Sequence, residues 1–317
     1  MSVEIQKGVI LNLLGSLGIF LFAIEYLSRT LKELNLLTLK KWLLTSAKTP
    51  LRGIFSGTLV TTVLQSSSVV IILLIAFVDG NLITFANSLG IVLGANIGTT
   101  ITSQIIAFRV GDFAAIPLFI GVLGTVVTKD HQRRLLFKLL TGVSLVFFSL
   151  HLMDLSVGPY RNSQEVKDWL ATVNDPLSGI LLGGMVTLII QSSSATVAIA
   201  ITLASQGIIG LDAGIAIMMG AEIGTCSDTL FATIGRSREA IRIGVFHLVY
   251  NILAVSIGYF TFDYLKAFVV WSDGAGSLGR LIANAHVSFN VGAAFIFLFT
   301  IPLFQKVLAV VIPDNGK

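Results

Sequence analysis

Two clusters of hydroxyl and amide side chains interrupt otherwise apolar sequence, Gln65-Ser66-Ser67-Ser68 and Gln191-Ser192-Ser193-Ser194. Each is followed by a glycine-flanked polar stretch, Gly94-Ala95-Asn96-Ile97-Gly98-Thr99-Thr100 in the first case and Gly220-Ala221-Glu222-Ile223-Gly224-Thr225 in the second, with Asp228 just beyond. Consecutive serines supply donors for the oxygens of an anion. Helix N-termini at a break in such a segment would aim positive dipole ends at the same anion. Freed carbonyls and the Gln and Asn side-chain oxygens suit Na+ instead. Carboxylates well inside an apolar segment are costly and are candidates for function. Glu222 reads as a cation ligand, a titrating proton carrier or the partner of a donor elsewhere in the chain. The alternative for both motifs is helix packing, since serine and threonine join membrane helices and both glycine stretches have the GxxxG spacing of a helix-dimer face.

The two motif sets are copies of one unit. Gln65 and Gln191 stand 126 positions apart (191 − 65), as do Asn96 and Glu222 (222 − 96), so the copies align without a gap. Duplication in register argues against packing alone, because a packing face keeps apolar residues where these copies hold hard oxygen ligands. Polar clusters doubled inside apolar sequence are what a transporter core needs.

The elements around the motifs must be membrane helices. Of 317 residues, 54% are hydrophobic and 12% charged, and the mean hydropathy is +0.89, values of an integral membrane protein. The net charge of +4 fits basic cytoplasmic loops, and no basic patch interleaved with aromatics points to nucleic acid. The single cysteine, Cys226, excludes an internal disulfide and gives no zinc or redox spacing. It reads as a small packing residue.

Residues 9–28 are read as a first span rather than a signal peptide. Segment 29–52 carries Arg29, Lys32, Lys40, Lys41, Lys48 and Arg52 against Glu33, which places it in the cytoplasm with Trp42 as an interfacial anchor. Residues 53–78 are read as a re-entrant hairpin with its tip at Gln65–Ser68. Two arms of about 12 residues reach only about 18 Å each, near the bilayer middle. With a hairpin in each repeat, every basic loop falls inside, including Lys129, Arg133, Arg134 and Lys138, and later Arg236, Arg238 and Arg242. The count then runs through a broken helix 79–108, the near-neutral Arg109/Asp112 turn, a span at 114–128 and a span at 139–157. An outer segment 158–176 holds Arg161 and Lys167 against Glu165, Asp168 and Asp175. Next come a second hairpin 177–204, a second broken helix 207–235, a span at 243–262 and a polar loop through Asp273. Segments 29–52 and 158–176 are repeat counterparts of opposite charge, the pattern that inversion predicts.

The expected fold is therefore an all-α integral membrane protein. It comprises a first repeat (1–128) and a second, inverted repeat (129–262), each with a hairpin tipped by QSSS and a broken transmembrane helix, then a final transmembrane helix at 281–312. The N-terminus is expected outside and the C-terminus in the cytoplasm of a plasma (inner) membrane protein.

From Gly53 to Phe108 and from Leu177 to Gly235 there is no lysine or arginine. An anion held there relies on dipoles, N–H and O–H donors and co-bound cations. The doubled QSSS segments, each followed by a GANIGT-like segment, resemble the type II sodium-dependent phosphate cotransporters and their bacterial relatives. The resemblance implies inorganic phosphate and Na+ as substrates and a site between inverted repeats. Ser66, Ser67, Ser68, Ser192, Ser193 and Ser194 would bind phosphate. Gln65, Asn96, Thr99, Thr100, Gln191, Glu222, Thr225 and Asp228 would serve Na+, with Asn96, Thr99 and Thr100 lining an unwound segment. Glu222 departs from the family's asparagine, and Cys226-Ser227-Asp228 departs too, which leaves room for proton coupling.

The leading expectation is sodium-coupled symport of phosphate by alternating access, not an enzyme, with Na+ as the coupling ion and no cofactor. Its partners are phosphate, Na+ and the lipid bilayer, with a homodimer allowed and no nucleic acid. Phosphate export, or cation-coupled transport of another oxyanion or a carboxylate, keeps the same fold. An intramembrane serine hydrolase using a QSSS serine with His247 or His286 is the remote alternative, lacking a GxSxG elbow. His247/Asn251 and His286/Asn290 repeat an i, i+4 pair that reads as interhelical hydrogen bonding. Glu25 and its counterpart His151 read as solvated span ends.

Overall fold

The computed structural model describes residues 3–46, 49–108, 111–160, 175–273 and 276–314, and all regular structure among them is helical. The chain runs through α1 (Val3–Ser46), α2 (Pro50–Leu64), α3 (Ser67–Asp79), α4 (Phe85–Ala107), α5 (Ala115–Val127) and α6 (His131–Val157). It continues through α7 (Pro176–Ile190), α8 (Ser193–Ser205), α9 (Leu211–Gly224), α10 (Cys226–Phe231), α11 (Arg238–Phe260), α12 (Phe262–Asp273), α13 (Leu278–Leu298) and α14 (Ile301–Val311). Five described segments are long and apolar enough to cross a membrane: Leu11–Glu33 of α1, and α4, α6, α11 and α13. The protein is a multi-pass membrane protein. Exposed Phe113, Ile116, Phe119 and Val126 around α5, and Tyr264 and Trp271 on α12, form apolar surface of the kind that lipid covers.

The motif-bearing helices are short for a definite reason. Each pair, α2–α3 and α7–α8, is divided at a glutamine with left-handed backbone, Gln65 at φ 55° and Gln191 at φ 59°. The following serine then starts the next helix as its N-cap, Ser66 accepting from the Val69 N–H and Ser192 from the Ala195 N–H. The outer ends match as well. Thr49 caps α2 and Asp175 caps α7, each with proline at the first helical position. Arms of 15 and 13 residues extend about 20–22 Å at about 1.5 Å per residue, short of a hydrocarbon core of about 30 Å.

Behind each pair lies a further helix, the 23-residue α4 against α2 and the 14-residue α9 against α7. Here the GxxxG stretches act as packing faces. A Cβ on Gly94 would collide with the Ile54 carbonyl, and one on Gly220 with the Ile180 carbonyl. Gly94→Val is accordingly expected to destabilise the protein by about 1–3 kcal/mol or more through overpacking, read as a lowered unfolding temperature in detergent. In α4, 78% of the spanning window is buried, against 28% in α1, so α4 is an interior helix wrapped by α2, α3, α11 and α13. Edge-to-face contacts of Phe246 with Phe304 and of Tyr250 with Phe297 knit α11, α13 and α14.

Several expectations are corrected. α4 is continuous from Phe85 to Ala107, so the unwound segment expected at Asn96–Thr100 is absent. Its glycines serve close helix contact and leave the helical hydrogen bonds in place. The second copy does break, but at Thr225, and only as a kink, because the Thr225 N–H still bonds the Ala221 carbonyl. The basic segment after residue 28 is not a loop up to 46 but the continuation of α1, tied to α6 by Glu33–Lys138 at 2.9 Å. Segment 262–273, expected to begin a loop, is helical, and the final helix is divided at Phe299–Thr300 before Pro302. The span at 114–128 yields only the 13-residue α5. Most of the outer segment, 161–174, and Arg109 of the Arg109/Asp112 turn lie outside the described residues.

Candidate functional site

The two glutamine–serine tips meet. A cavity of about 350 Å3 is lined by Gln65 to Ser68 from one and Gln191 to Ser194 from the other, with Thr99 of α4, Thr225 and Asp228 at the α9–α10 kink, and Glu25 and Ser28 of α1. Residues 126 positions apart in the chain thus face one small space.

Its electrostatics follow from the caps. The first N–H groups of α3 and α8, those of Ser67 and Ser68 and of Ser193 and Ser194, have no intrahelical acceptor. The cap oxygens of Ser66 and Ser192 accept from Val69 and Ala195, which leaves each hydroxyl proton free to donate into the cavity. Two helix N-termini and the hydroxyls of two serine runs therefore line one space with positive potential and donors, although the Ser68 hydroxyl is also bonded to Asp228. No lysine or arginine is among the described residues lining it, whereas two carboxylates are, Asp228 and Glu25, the latter paired with Arg29 at 2.7 Å. Asp228 Oδ1 is buried without a hydrogen-bond partner, an acceptor placed for a cation. Ser68 Oγ lies 3.3 Å from Thr225 Oγ1, joining the first tip to the second repeat's kink.

Over residues 19–154 and 161–285 the chain matches the Na+/Pi-cotransporter family. It belongs to that family. Among its relatives, an uncharacterized protein YqeW of Bacillus subtilis is 28% identical over 93% of this chain and 95% of its own length. A putative inorganic phosphate export protein, YjbB of Escherichia coli K12, is 26% identical over 83% of this chain and 48% of its own. The human sodium-dependent phosphate transport protein 2B is 26% identical over 55% of this chain and 26% of its own. The chain thus spans about half of YjbB and about a quarter of the human protein. No solved structure matches it.

The remaining residues assigned by sequence go elsewhere. Thr100 is buried, its hydroxyl bonded to the Ile97 carbonyl. Asn96 and Glu222, equivalent positions of the repeats, do not line the serine cavity. They sit in a second buried polar cluster among α4, α9, α11 and α13. Asn96 Nδ2 donates to Asn251 Oδ1 at 3.2 Å, and Glu222 Oε1 lies 2.6 Å from His286 Nε2. Asn96 Oδ1, Tyr250 Oη and Asn290 Oδ1 are buried here without partners. The cluster repeats a pattern. Ser103 and its counterpart Thr229 each bond the Nδ1 of a histidine, His286 and His247. Each histidine's carbonyl in turn accepts from the asparagine four residues on, Asn290 or Asn251. Both histidines thus make interhelical bonds, as expected, and neither contacts a QSSS serine.

Glu25 and Ser28, not assigned to the site by sequence, line the cavity, and Thr102 supports the first tip from behind. Ser28 Oγ donates to the Leu64 carbonyl beneath the first tip, and Thr102 Oγ1 donates to Gln65 Oε1 at 2.9 Å. The repeat register carried a usable signal for Thr102, since its counterpart is Asp228.

Proposed function

We propose that this protein couples the movement of inorganic phosphate to Na+ across the plasma membrane by alternating access. One observation carries the reading. The cavity between the tips gathers anion donors with no lysine or arginine among its described lining residues to balance a bound dianion, and Asp228 Oδ1 is an unpartnered acceptor beside them. A multivalent anion without neutralisation is prohibitively costly at low dielectric, so cations that enter with it supply the balance. Ser66–Ser68 and Ser192–Ser194 bind the phosphate, and Gln65, Gln191, Thr99, Thr225 and Asp228 serve Na+, which is cargo, with no resident cofactor.

The short arms and the loop charges support two hairpins entering from opposite sides, with the N-terminus outside and the C-terminus in the cytoplasm. The family to which the chain belongs supports the ion pair. The Escherichia coli relative, a putative inorganic phosphate export protein, favours outward movement as a second reading, which uses the same cavity under the opposite gradient. The test is 32P-phosphate flux in proteoliposomes under imposed Na+ gradients of either direction, with Li+, K+ and pH gradients as controls. Flux that follows the Na+ gradient is expected. Flux driven by a pH gradient alone would overturn sodium coupling, and absence of phosphate flux under every gradient would overturn the substrate.

A further inference from the structure

A second cavity, of about 530 Å3, adjoins the serine cavity and shares Gln65 and Ile24 with it. Its walls are apolar, from the C-terminal end of α4 (Ile101, Ile105, Phe108) and the middle of α6 (Val143, Phe147). Only three kinds of polar group reach it: Gln65 with Thr102 at the inner end, Gln104, and Arg280 from the first turn of α13. Arg280 is the one charged residue among the described residues lining it. The Arg280 side chain is half-exposed, so its head group reaches solvent at the mouth of this apolar hollow.

A chain of bonds places a carboxylate beside Arg280. Gln104 Nε2 donates to Asn284 Oδ1 and Asn284 Nδ2 to Asp273 Oδ2, both at 3.0 Å. Asp273 Oδ2 in turn lies 3.6 Å from Arg280 Nε, too far for a full hydrogen bond. The guanidinium is therefore oriented by Asp273 yet keeps donors for another oxyanion.

At the inner end, both halves of the Gln65 amide are engaged. Its oxygen accepts from Thr102, and its nitrogen donates to the Thr62 carbonyl. With its left-handed backbone and its buried side chain, Gln65 stands as a fixed partition between the two cavities.

We propose that the larger cavity is a vestibule in which Arg280 captures the transported oxyanion, and that Gln65, held by Thr102, is the partition between this station and the serine cavity. The assignment of the anion as the transported one rests on the function proposed above. Charge complementarity selects an anion as occupant, and the shared Gln65 makes the two cavities successive stations on one route. Arg280 is a capture residue, acting before the anion reaches the serines. Releasing the Thr102 bond would loosen the partition and leave capture intact.

The test reads the vestibule directly. A reporter thiol is introduced as Ile105→Cys. The native Cys226 is fully buried, so the reporter is read alone. Purified full-length protein is reacted with an anionic sulfonatoethyl and a cationic trimethylammonioethyl methanethiosulfonate at low and high salt. The anionic reagent is expected to react faster by about three- to tenfold at low salt, as for a cleft that focuses one sign of charge. Arg280→Gln should bring the ratio to one or below, and Arg280→Lys should retain it. Inorganic phosphate should slow labelling in the Arg280 protein and not in the Gln variant. A ratio unchanged by Arg280→Gln, or no labelling of the Ile105→Cys protein above the Cys226 background, would overturn the proposal. In the flux assay, Arg280→Gln should raise the KM for phosphate severalfold with kcat unchanged, whereas an unchanged KM would overturn capture. Arg280-dependent anion selectivity without protection by phosphate or any phosphate flux would retain an anion vestibule and overturn the phosphate reading. The two failures are therefore separable.

Discussion

The double substitution Ser67→Ala with Ser193→Ala is expected to lower kcat/KM for phosphate flux by about 100-fold or more, since each lost hydrogen bond to a charged ligand is worth about 1.5–3 kcal/mol. These two serines are chosen because they are not the caps. Ser66 and Ser192 hold the N-termini of α3 and α8, so their removal would mix a lost donor with a lost cap of about 1 kcal/mol. Ser67 and Ser193 are buried, line the cavity and accept no helix N–H. The double variant should therefore unfold at nearly the wild-type temperature in detergent while losing flux, and each single variant should lose roughly the square root of the combined effect if the tips act independently. Retention of wild-type flux would remove the serines from the binding site. Unfolding at a much lower temperature would make them structural.

Much of this site was readable in the sequence because the chain states it twice. Gln65 and Gln191 take the same left-handed turn, and Ser66 and Ser192 cap in the same way. A glutamine followed by serine inside an apolar run is a local signal, since cap chemistry depends on a few neighbouring residues. The glycine stretches were legible only in part. Their spacing is equally suited to a helix-packing face, and it is packing that keeps α4 unbroken past Asn96. Spacing alone cannot show whether the glycine face or the oxygen-bearing residues decide the backbone. The continuation of α1 beyond residue 28 was hidden by charge, because lysine and glutamate are good helix formers and a charged segment reads as a loop only if helices are assumed to end at the membrane surface. Least visible were the partners made by tertiary packing. The two His/Asn pairs are 39 positions apart (286 − 247), outside the 126-residue register, so nothing in the repeat joins His286 to Glu222.

That pair carries the largest expected effect on stability. Glu222 and His286 face each other at 2.6 Å with side chains 3% and 1% exposed, and the far nitrogen of His286 is bonded to Ser103. Buried this deeply, the carboxyl group relies on the histidine facing it. His286→Leu is expected to cost about 3–5 kcal/mol, because it leaves a buried acid unmatched. Glu222→Leu should cost less, about 1–3 kcal/mol, because the imidazole keeps its bond to Ser103 and loses a partner at one nitrogen only. In the double variant both polar groups are gone and apolar side chains of similar bulk meet, so much of the loss should be recovered. Unfolding midpoints of the four proteins in detergent close the cycle, and simple additivity would show that the contact contributes nothing. The same four proteins decide what the acid is for. Sodium-driven flux in a well-folded double variant makes Glu222 part of the scaffold that holds α9 against α13. Loss of flux, or loss of its dependence on the cation, with stability restored makes Glu222 a carrier of coupling charge. The unpartnered oxygens of Asn96, Tyr250 and Asn290 beside it would then be its co-ligands.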